Sequence, residues 1–360
     1  HEEPQLREID TANFSGNDPH EVIEWIKQCA DTYIIAGVGH RLVHGGPWYD
    51  RAVWLDNHTK EQIAALADFD PEHTPQALQM IEEVQAALPD SPQFASFDTA
   101  FFRDMPQVAK RLPLPRKYFD EGLRRYGFHG LSYTYLQETL GKAAGEAIVR
   151  GRVIYAHLGS GASLVATRDG RPIDTTMGFT PAAGVVMSTR SGDLDPGIGL
   201  FMQKRHQMGA EEFYHTVNAE SGLLGISGYT ADMKRLLDDE ATDPHAAEAV
   251  ELFCYRIAQA IGSLATTIGG LDALVFSGGI GERSAVIRRR ITNKLMYLGV
   301  RIDDARNKRH DQIISAEGSA AKVYMLATDE MHIVARDAWQ LIREGGKEMD
   351  TNDVPLSNDM

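Results

Sequence analysis

Residues 153–196 read VIYAHLGSGASLVATRDGRPIDTTMGFTPAAGVVMSTRSGDLDP, and their pattern of apolar runs and turns indicates the class of fold. Two apolar runs, 153–158 and 162–167, flank a Gly-Ser-Gly turn, and an Asp-Gly pair then leads into a third run at 171–175. Short apolar runs separated by such turns are typical of antiparallel strands. The stretch therefore predicts three consecutive strands of a β-meander rather than a strand followed by a helix.

The position of the Gly-Ser-Gly turn in the predicted secondary structure distinguishes between two classes of nucleotide-binding site. P-loop and dinucleotide-binding folds place their glycine loop at the N-terminus of a helix, where free backbone N–H groups meet the phosphates. In this chain the glycines join two predicted strands, where consecutive N–H groups can also form an anion-binding nest. A tight hairpin turn without a ligand explains the same pattern. The turn alone leaves both interpretations open.

The last part of the stretch has the composition of a functional loop. Residues 188–196 bring together Arg190, two aspartates, hydroxyl side chains and turn-forming residues. This segment is too polar for a strand interior, and loops held by a rigid scaffold often carry binding and catalytic groups. We therefore expect a site in this loop.

The composition indicates a globular protein that does not bind nucleic acid. The 360 residues include 36 Lys and Arg against 51 Asp and Glu, a formal net charge of −15 with no basic stripe. The length allows two domains, with a boundary predicted near residue 150. No apolar run reaches the roughly 18 residues of a membrane span, so we expect a cytoplasmic protein without a membrane partner. Cys29 and Cys254 lie in apolar helical patterns, which predicts buried free thiols in a reducing compartment.

Three candidate site residues lie in loops of the N-terminal part. Arg41 follows a strand predicted at 33–38, a position suited either to a bidentate anion contact or to a surface arginine. His73 lies between two prolines that predict a rigid loop, and either a functional or a packed histidine fits there. Asp98 ends a strand predicted at 93–97, where a carboxylate binds metal or caps the next helix.

Four further positions along the chain are candidates for functional sites. His129 lies between an aromatic residue and glycine, where a structural histidine is also common. A helix is predicted to begin with a cap at Thr230, and a glycine loop with a helix start follows a strand at 273–276. Glu330 follows a strand at 322–326, where it suits either a metal or a helix N-terminus. Other helices are predicted at 21–30, 60–67, 75–87, 131–144, 210–218, 246–268, 284–298 and 331–343.

Seven separated motifs, spread over roughly residues 37–343, resemble the acetate kinases. In chain order they are GHRLVHGG at 39–46, FDTAF at 97–101, RYGFHG at 125–130, HLGSGAS at 157–163, IDTTMGFTPAAG at 173–184, STRSGDLDPG at 188–197 and VFSGGIGE at 275–282. That family belongs to the sugar kinase, Hsp70 and actin superfamily. The resemblance implies an α/β fold of two actin-like (ribonuclease H-like) domains with mixed β-sheets flanked by helices. It further implies an acyl-substrate domain at 1–150, a nucleotide-binding domain at 151–345 and a polar tail at 346–360.

The resemblance also assigns roles to individual residues. The implied catalytic residues are Asp98, His129 and Arg190. The implied acyl-substrate residues are Arg41, Val43, His73, Phe128 and Pro181. The implied nucleotide-binding residues are His157, Leu158, Gly159, Ser160, Gly161, Asp232, Met233, Lys234, Gly279, Ile280, Gly281, Glu282 and Arg283. The implied metal ligands are Glu330 and Asp98, for Mg²⁺.

The activity implied by the resemblance is reversible phosphoryl transfer from ATP to acetate in a homodimer. Propionate is the alternative acceptor, and a nucleotide-binding module without catalysis or a pyrophosphate-linked enzyme are alternative functions. Because a carboxylate acceptor is already ionised at pH 7, no general base is required. Asp98 then suits the positioning of Mg²⁺ or its water ligands better than proton transfer.

The chain departs from the family pattern at several positions. The residues that differ are Glu72, Thr74, Phe102, Leu131, Tyr133, Lys234 and Asp329. The family's first strand and its serine-rich phosphate loop have no counterpart before GHRLVHGG, and we expect the sequence to lack these first strands. The substitutions near His73 and His129 affect the expected acyl pocket, which leaves the choice of acid open.

Overall fold

The computed structural model describes Ala12 and residues 19–345. The predicted polar tail at 346–360 lies outside the described residues. The strands are β1 Val38–Leu42, β2 Val53–Trp54, β3 Gln93–Phe97, β4 Arg152–Leu158, β5 Ala162–Arg168, β6 Arg171–Thr175, β7 Ala273–Ser277 and β8 Lys322–Met325. The helices are α1 Pro19–Thr32, α2 Asn57–Ala64, α3 Thr74–Ala87, α4 Gln107–Lys110, α5 Arg116–Asp120, α6 Gly130–Ala144, α7 Glu146–Val149, α8 Gly197–His206, α9 Ala210–His215, α10 Gly222–Ser227, α11 Met233–Asp239, α12 Pro244–Ile268, α13 Gly278–Arg283, α14 Ala285–Asn293, α15 Asp304–Lys308 and α16 Glu330–Arg343.

The predicted β-meander is confirmed. Strands β4, β5 and β6 pair antiparallel in sequence, and Leu158 lies opposite Ala162 across the glycine turn. The N–H of Gly159 donates to the carbonyl of Gly161 at 2.9 Å, which closes the turn. The six residues of β5 before Arg168 are all buried. The turn is therefore attached to a strand that packing holds in place.

A five-stranded mixed sheet extends from the meander. Its strand order is β6-β5-β4-β7-β8, and β7 and β8 run parallel to β4. Helix α12 packs against β4, β5 and β6 and buries Phe253, Ile257 and Ile261 completely. Because β4 and β7 are parallel, their carboxyl ends meet at one edge of the sheet, where ligands bind in open α/β sheets.

A three-stranded mixed sheet lies near the start of the chain. Strand β3 is central, parallel to β1 and antiparallel to β2, and Arg41 lies opposite Ser96. Helix α16 packs on β1 and β3. A Cβ at Gly39 would come within 2.5 Å of Val334 Cγ1, so only glycine allows this close approach. The predicted fold class, mixed sheets flanked by helices, is confirmed.

The chain divides into two compact units. One contains the described residues up to Arg103 together with those from Asp329, and the other is Asp104–Thr328. The three-stranded sheet belongs to the first unit and the five-stranded sheet to the second. The prediction that residues 1–150 bind the acyl substrate and residues 151–345 bind the nucleotide stays a prediction.

Several predicted elements have different bounds. The strand expected at 33–38 is wrong, because β1 begins only at Val38 and Ile34 is 98% exposed. The helix expected at 284–298 is shorter, because α14 ends at Asn293 and a separate 3-10 turn follows at Met296–Leu298. Ser284 caps α14, and the glycine loop before it is itself helical as α13. The helix expected from Thr230 is capped by Asp232 instead.

Two further expectations concern the cysteines and the membrane. Both cysteines are free thiols as predicted, but only Cys254 is buried, whereas Cys29 is partly exposed. Burial raises the pKa of the Cys254 thiol to about 12. Within residues 19–345, we find no helix whose length and hydropathy suit a membrane crossing.

Candidate active site

Arg41 and Asp98 form a bidentate ion pair at one edge of the three-stranded sheet. Arg41 Nε lies 3.0 Å from Asp98 Oδ1, and the Arg41 terminal nitrogen Nη2 lies 2.6 Å from Oδ2. The parallel pairing of β1 and β3 brings the ends of both strands to the same edge, and the Asp98 N–H donates to Leu42 O at 3.0 Å. Asp98 is 1% exposed, whereas a third of the Arg41 side chain is exposed. The Arg41 side chain therefore stays partly accessible to solvent, whereas its carboxylate partner does not.

Glu330 supplies a second carboxylate beside Arg41. Glu330 Oε2 lies 3.2 Å from Arg41 Nε, at the first residue of α16. The capping role belongs to Asp329, whose carboxylate accepts from the His332 N–H at 2.9 Å. Burial acts to lower the pKa of Arg41, but Asp98 and Glu330 outweigh it and hold the pKa above its usual value. Arg41 is therefore a permanent cation between two carboxylates.

The other predicted acyl-substrate residues of the first unit are His73 and Val43. His73 Nδ1 lies 2.7 Å from Asp70 Oδ1, and Asp70 is 3% exposed. Sequence reasoning missed Asp70, since an aspartate before a proline predicts only a turn. Val43 is partly buried just after β1. The structure thus gives His73 a buried carboxylate partner on one ring nitrogen.

In the second unit, the Gly-Ser-Gly turn brings together two of the predicted catalytic residues. A Cβ at Gly161 would lie 3.3 Å from His129 Nε2 and 3.5 Å from the Arg190 terminal nitrogen Nη1. The Ser188 N–H donates to Ser160 O at 3.0 Å and attaches the arginine loop to the turn. Two groups that carry or can carry positive charge therefore lie against the turn, an arrangement suited to phosphate.

His129 is held by local backbone geometry and by hydrogen bonds. It precedes α6 with φ of 60°, a left-handed conformation that histidine adopts more readily than most residues. Its ring lies 4.6 Å from the His157 ring, centroid to centroid. His129 Nδ1 lies 2.9 Å from Ser163 Oγ. Phe128, predicted for the acyl pocket, is fully buried, and Pro181 accepts from Arg190 Nη1 at 3.4 Å through its carbonyl.

The second glycine loop meets the first at the ends of β4 and β7. A Cβ at Gly278 would lie within 2.8 Å of the Leu158 backbone, so glycine is required for this approach. Glu282 Oε1 accepts from the Gly278 N–H at 2.9 Å, which folds the side chain back onto its own loop. Gly279 is exposed beside it. The residues predicted to bind the nucleotide at 157–161 and 279–283 therefore lie beside each other, at the ends of β4 and β7.

The predicted nucleotide residues on α11 have mainly local contacts. Asp232 caps the helix by accepting from the Lys234 N–H at 2.9 Å, and Met233 is buried. These contacts are those of an ordinary helix N-terminus with a side-chain cap. The role of Asp232, Met233 and Lys234 in nucleotide binding stays a prediction.

Arg288 supports the second glycine loop and was missed in the sequence. It is fully buried, and its guanidinium donates to Gly281 O at 2.7 Å, to Glu282 O at 2.8 Å and to Asn307 Oδ1 at 2.7 Å. Burial lowers its pKa to about 10, so it remains charged at neutral pH. In the sequence it is one of three consecutive arginines, a pattern typical of a solvated helix face.

Replacing Arg288 with methionine is expected to lower the free energy of unfolding by about 2–4 kcal/mol and to raise KM for ATP about tenfold. The substitution leaves the carbonyls of Gly281 and Glu282 without their donor in a buried place. Urea unfolding and steady-state kinetics measure both effects. Arg309→Met is the matched control, since Arg309 pairs with Asp311 at the surface. Unchanged stability in the Arg288 variant contradicts a supporting role.

The carboxylates present fit a magnesium ion that is completed by phosphates. Among the described residues, no group of three or more His, Cys, Asp or Glu side chains could hold a metal. Mg²⁺ usually takes one or two carboxylates together with water and substrate phosphates. Asp98 and Glu330, which share Arg41, match that donor set.

Comparisons with known proteins show which family the chain belongs to. The model of the acetokinase family matches residues 20–336. An acetate kinase of Rhodopseudomonas palustris is 46% identical over 331 residues, which cover 91% of this chain and 82% of the relative. A propionate kinase of Citrobacter rodentium is 42% identical over 309 residues, covering 85% and 77%. The crystal structure of a propionate kinase from Francisella tularensis superposes with a TM-score of 0.85 at 36% identity, covering 91% of this chain and 85% of that one.

The family match and the named relatives define a kinase, and the predicted class of enzyme, a phosphotransferase with a carboxyl group as acceptor, is confirmed. The chain belongs to the acetokinase family. The resemblance found in the seven motifs is thereby confirmed over most of the chain.

Proposed function

We propose that the protein transfers the terminal phosphoryl group of ATP reversibly to acetate, with propionate as the alternative acceptor. The observation that carries the proposal is the placement of Gly161 against His129 and Arg190. A phosphate on the backbone N–H groups of that turn would meet both side chains. The relatives named acetate kinase and propionate kinase support the same acceptors.

The residue types suit this chemistry. Phosphoryl transfer requires the protein chiefly to position the reactants and to neutralise charge. Arg41 and Arg190 would hold the acyl carboxylate and the equatorial phosphoryl oxygens, and His129 would donate a further hydrogen bond. The family resemblance assigns Val43 and His73 of the first unit, and Phe128 and Pro181 of the second, to the acyl substrate. Asp98 would hold Arg41 in place, since both of its oxygens accept from that guanidinium.

Mg²⁺ bound to the nucleotide would neutralise the phosphate charge when present. Asp98 and Glu330 are the residues that would orient it or its water ligands. The acceptor carboxylate is ionised at pH 7, so no residue needs to remove a proton from it. We also propose that the protein works as a homodimer in the cytoplasm, which light scattering and cell fractionation would test.

The proposed function is tested by measuring acyl phosphate, trapped with hydroxylamine, after incubation with MgATP. Parallel reactions contain acetate, propionate, butyrate or no acid, and one set contains pyrophosphate in place of ATP. We expect ATP-dependent product with acetate, less with propionate, and none without acid. The Arg190→Ala variant serves as the control for background hydrolysis.

Two results would overturn the proposal. ATP binding without any acyl phosphate would indicate a nucleotide-binding module without catalysis. Product formed only with pyrophosphate would indicate a different phosphoryl donor. A preference for propionate would reverse the order of the two acids within the same reaction.

A further inference from the structure

A hydrogen-bonded chain of three side chains leads from the protein interior to His129. Tyr133 OH lies 2.5 Å from Ser163 Oγ, and Ser163 Oγ lies 2.9 Å from His129 Nδ1. Tyr133 and Ser163 are both fully buried. Tyr133 is four residues after His129 at the start of α6, and its N–H donates to the His129 carbonyl at 3.0 Å. The same helical turn therefore carries both ends of the chain.

Ser163 lies on β5, just after the Gly-Ser-Gly turn. Its partner across the meander is His157, and β5 is buried along six consecutive residues. The serine hydroxyl therefore has little freedom to move away from the imidazole. The chain joins α6, which positions His129, to the strand that positions the turn.

We propose that Tyr133 is a positioning residue that acts through Ser163 to fix the orientation and tautomer of His129. This inference rests on the proposed role of His129 in phosphoryl transfer. Both hydroxyls can donate and accept one hydrogen bond at the same time. The phenol is the more acidic hydroxyl and the imidazole nitrogen is the best acceptor of the three groups. Tyr133 therefore donates to Ser163, and Ser163 donates to Nδ1.

This direction of hydrogen bonding decides which nitrogen of His129 carries the hydrogen. With Nδ1 accepting from Ser163, the hydrogen of the neutral imidazole is on Nε2. Nε2 is the atom that lies 3.3 Å from the Cβ position of Gly161. His129 thus directs an N–H donor at the glycine turn. When the ring is protonated, both ring nitrogens carry hydrogen, so Nδ1 donates to Ser163 Oγ and Nε2 keeps its hydrogen.

The chain therefore lets His129 present a donor in either protonation state. A fixed donor stabilises negative charge on a phosphoryl group better than one that must first reorient. Tyr133 is one of the positions at which the chain departs from the family pattern, with tyrosine where the family often has histidine. The structure gives that substitution a hydrogen-bonding role.

The first test is Tyr133→Phe, which removes only the phenol oxygen. We expect kcat to fall about tenfold, while KM for ATP changes less than twofold. Tyr155→Phe is the matched control, because it removes the hydroxyl of an equally buried tyrosine. The ring centroids of Tyr155 and Tyr133 are 6.3 Å apart. The control is expected to keep kcat within twofold of the parent. Equal losses in both variants would overturn the proposal, since they would reflect packing alone.

A double-mutant cycle separates positioning from a general structural effect. Tyr133→Phe should have no further effect on the residual activity of the His129→Ala variant, because Tyr133 acts only through His129. Combined with Ser163→Ala, it should add nothing to the effect of Ser163→Ala alone. Additive losses in either cycle would contradict the proposal.

A spectroscopic readout keeps this test independent of the proposed function. Nitrogen-15 NMR of labelled histidines distinguishes the two neutral tautomers, and the His129→Ala variant assigns the resonance. We expect the Nε2-protonated tautomer in the parent and a mixture of tautomers in Tyr133→Phe. The same tautomer distribution in both proteins would overturn the positioning role even if activity were high. Absence of any acyl phosphate would overturn the proposed function and leave the tautomer result decisive for the hydrogen-bonded chain.

Discussion

Replacing Arg41 with alanine is expected to abolish measurable acyl phosphate formation and to lower the free energy of unfolding by about 2–3 kcal/mol. The stability loss arises because Asp98, 1% exposed, loses both of its hydrogen-bond donors and keeps a buried charge. Breaking a fully buried pair costs about 3–5 kcal/mol, and we expect less here because a third of Arg41 is exposed. Urea unfolding and the hydroxylamine assay measure the two effects.

A second Arg41 variant and a control variant complete this experiment. Arg41→Lys keeps the charge but loses the planar fork, so it should recover part of the stability and little of the activity. Arg51→Ala is the control in the same unit, because Arg51 is largely exposed beside Asp50. A stable but inactive Arg41→Ala protein would show that Asp98 does not depend on this partner. A stable and active one would refute both parts of the prediction.

Replacing Arg190 with alanine is expected to lower kcat by a factor of about 10²–10³ and to leave folding and ATP affinity nearly unchanged. Removal of one donor that stabilises transition-state charge has about this effect. Arg190 Nη1 makes long contacts with Pro181 O at 3.4 Å and with Met187 Sδ at 3.8 Å, and each of these contributes little to stability. The expected losses of stability in Arg41→Ala and Arg190→Ala thus differ, although both residues are assigned to the same reaction.

Calorimetric titration with a nonhydrolysable ATP analogue, alongside steady-state kinetics, measures the Arg190 prediction. Arg205→Ala on α8 is the matched control, since that arginine is exposed and lies outside the candidate site. Parallel loss of analogue binding and turnover would indicate that Arg190 mainly maintains the turn. Loss of turnover alone agrees with the assigned role.

Local patterns in the sequence predicted some elements fully and misplaced others for physical reasons. Strands β3 and β6 have the predicted bounds, because turn-forming residues mark both ends of each. The apolar residues before Val38 predicted a strand that the structure lacks, since Ile34 is exposed and its backbone has no strand partner there. Hydrophobicity indicates a strand only where a neighbouring strand is available for pairing.

The sequence indicated individual site residues but not which of their side chains are in contact. Arg41 and Asp98 were both candidates, but nothing in the sequence connects two residues that are 57 positions apart. Ser163 ends the HLGSGAS motif, but its position in an apolar strand gave no indication of its contact with His129. Arg288 was hidden in a basic run whose other members are partly exposed. Side-chain partners that depend on strand register are a tertiary property, which local patterns do not encode.

Helix α16 has a consequence for how the protein is made. It supplies Glu330 to Arg41 and packs on β1 and β3, so the first unit is built from the two ends of the described chain. Roughly 290 residues separate Arg41 from Glu330. At about 5–20 residues per second, a ribosome needs roughly 15–60 s to synthesise them. During that interval the nascent sheet lacks its covering helix, and the second unit can complete its fold before the first.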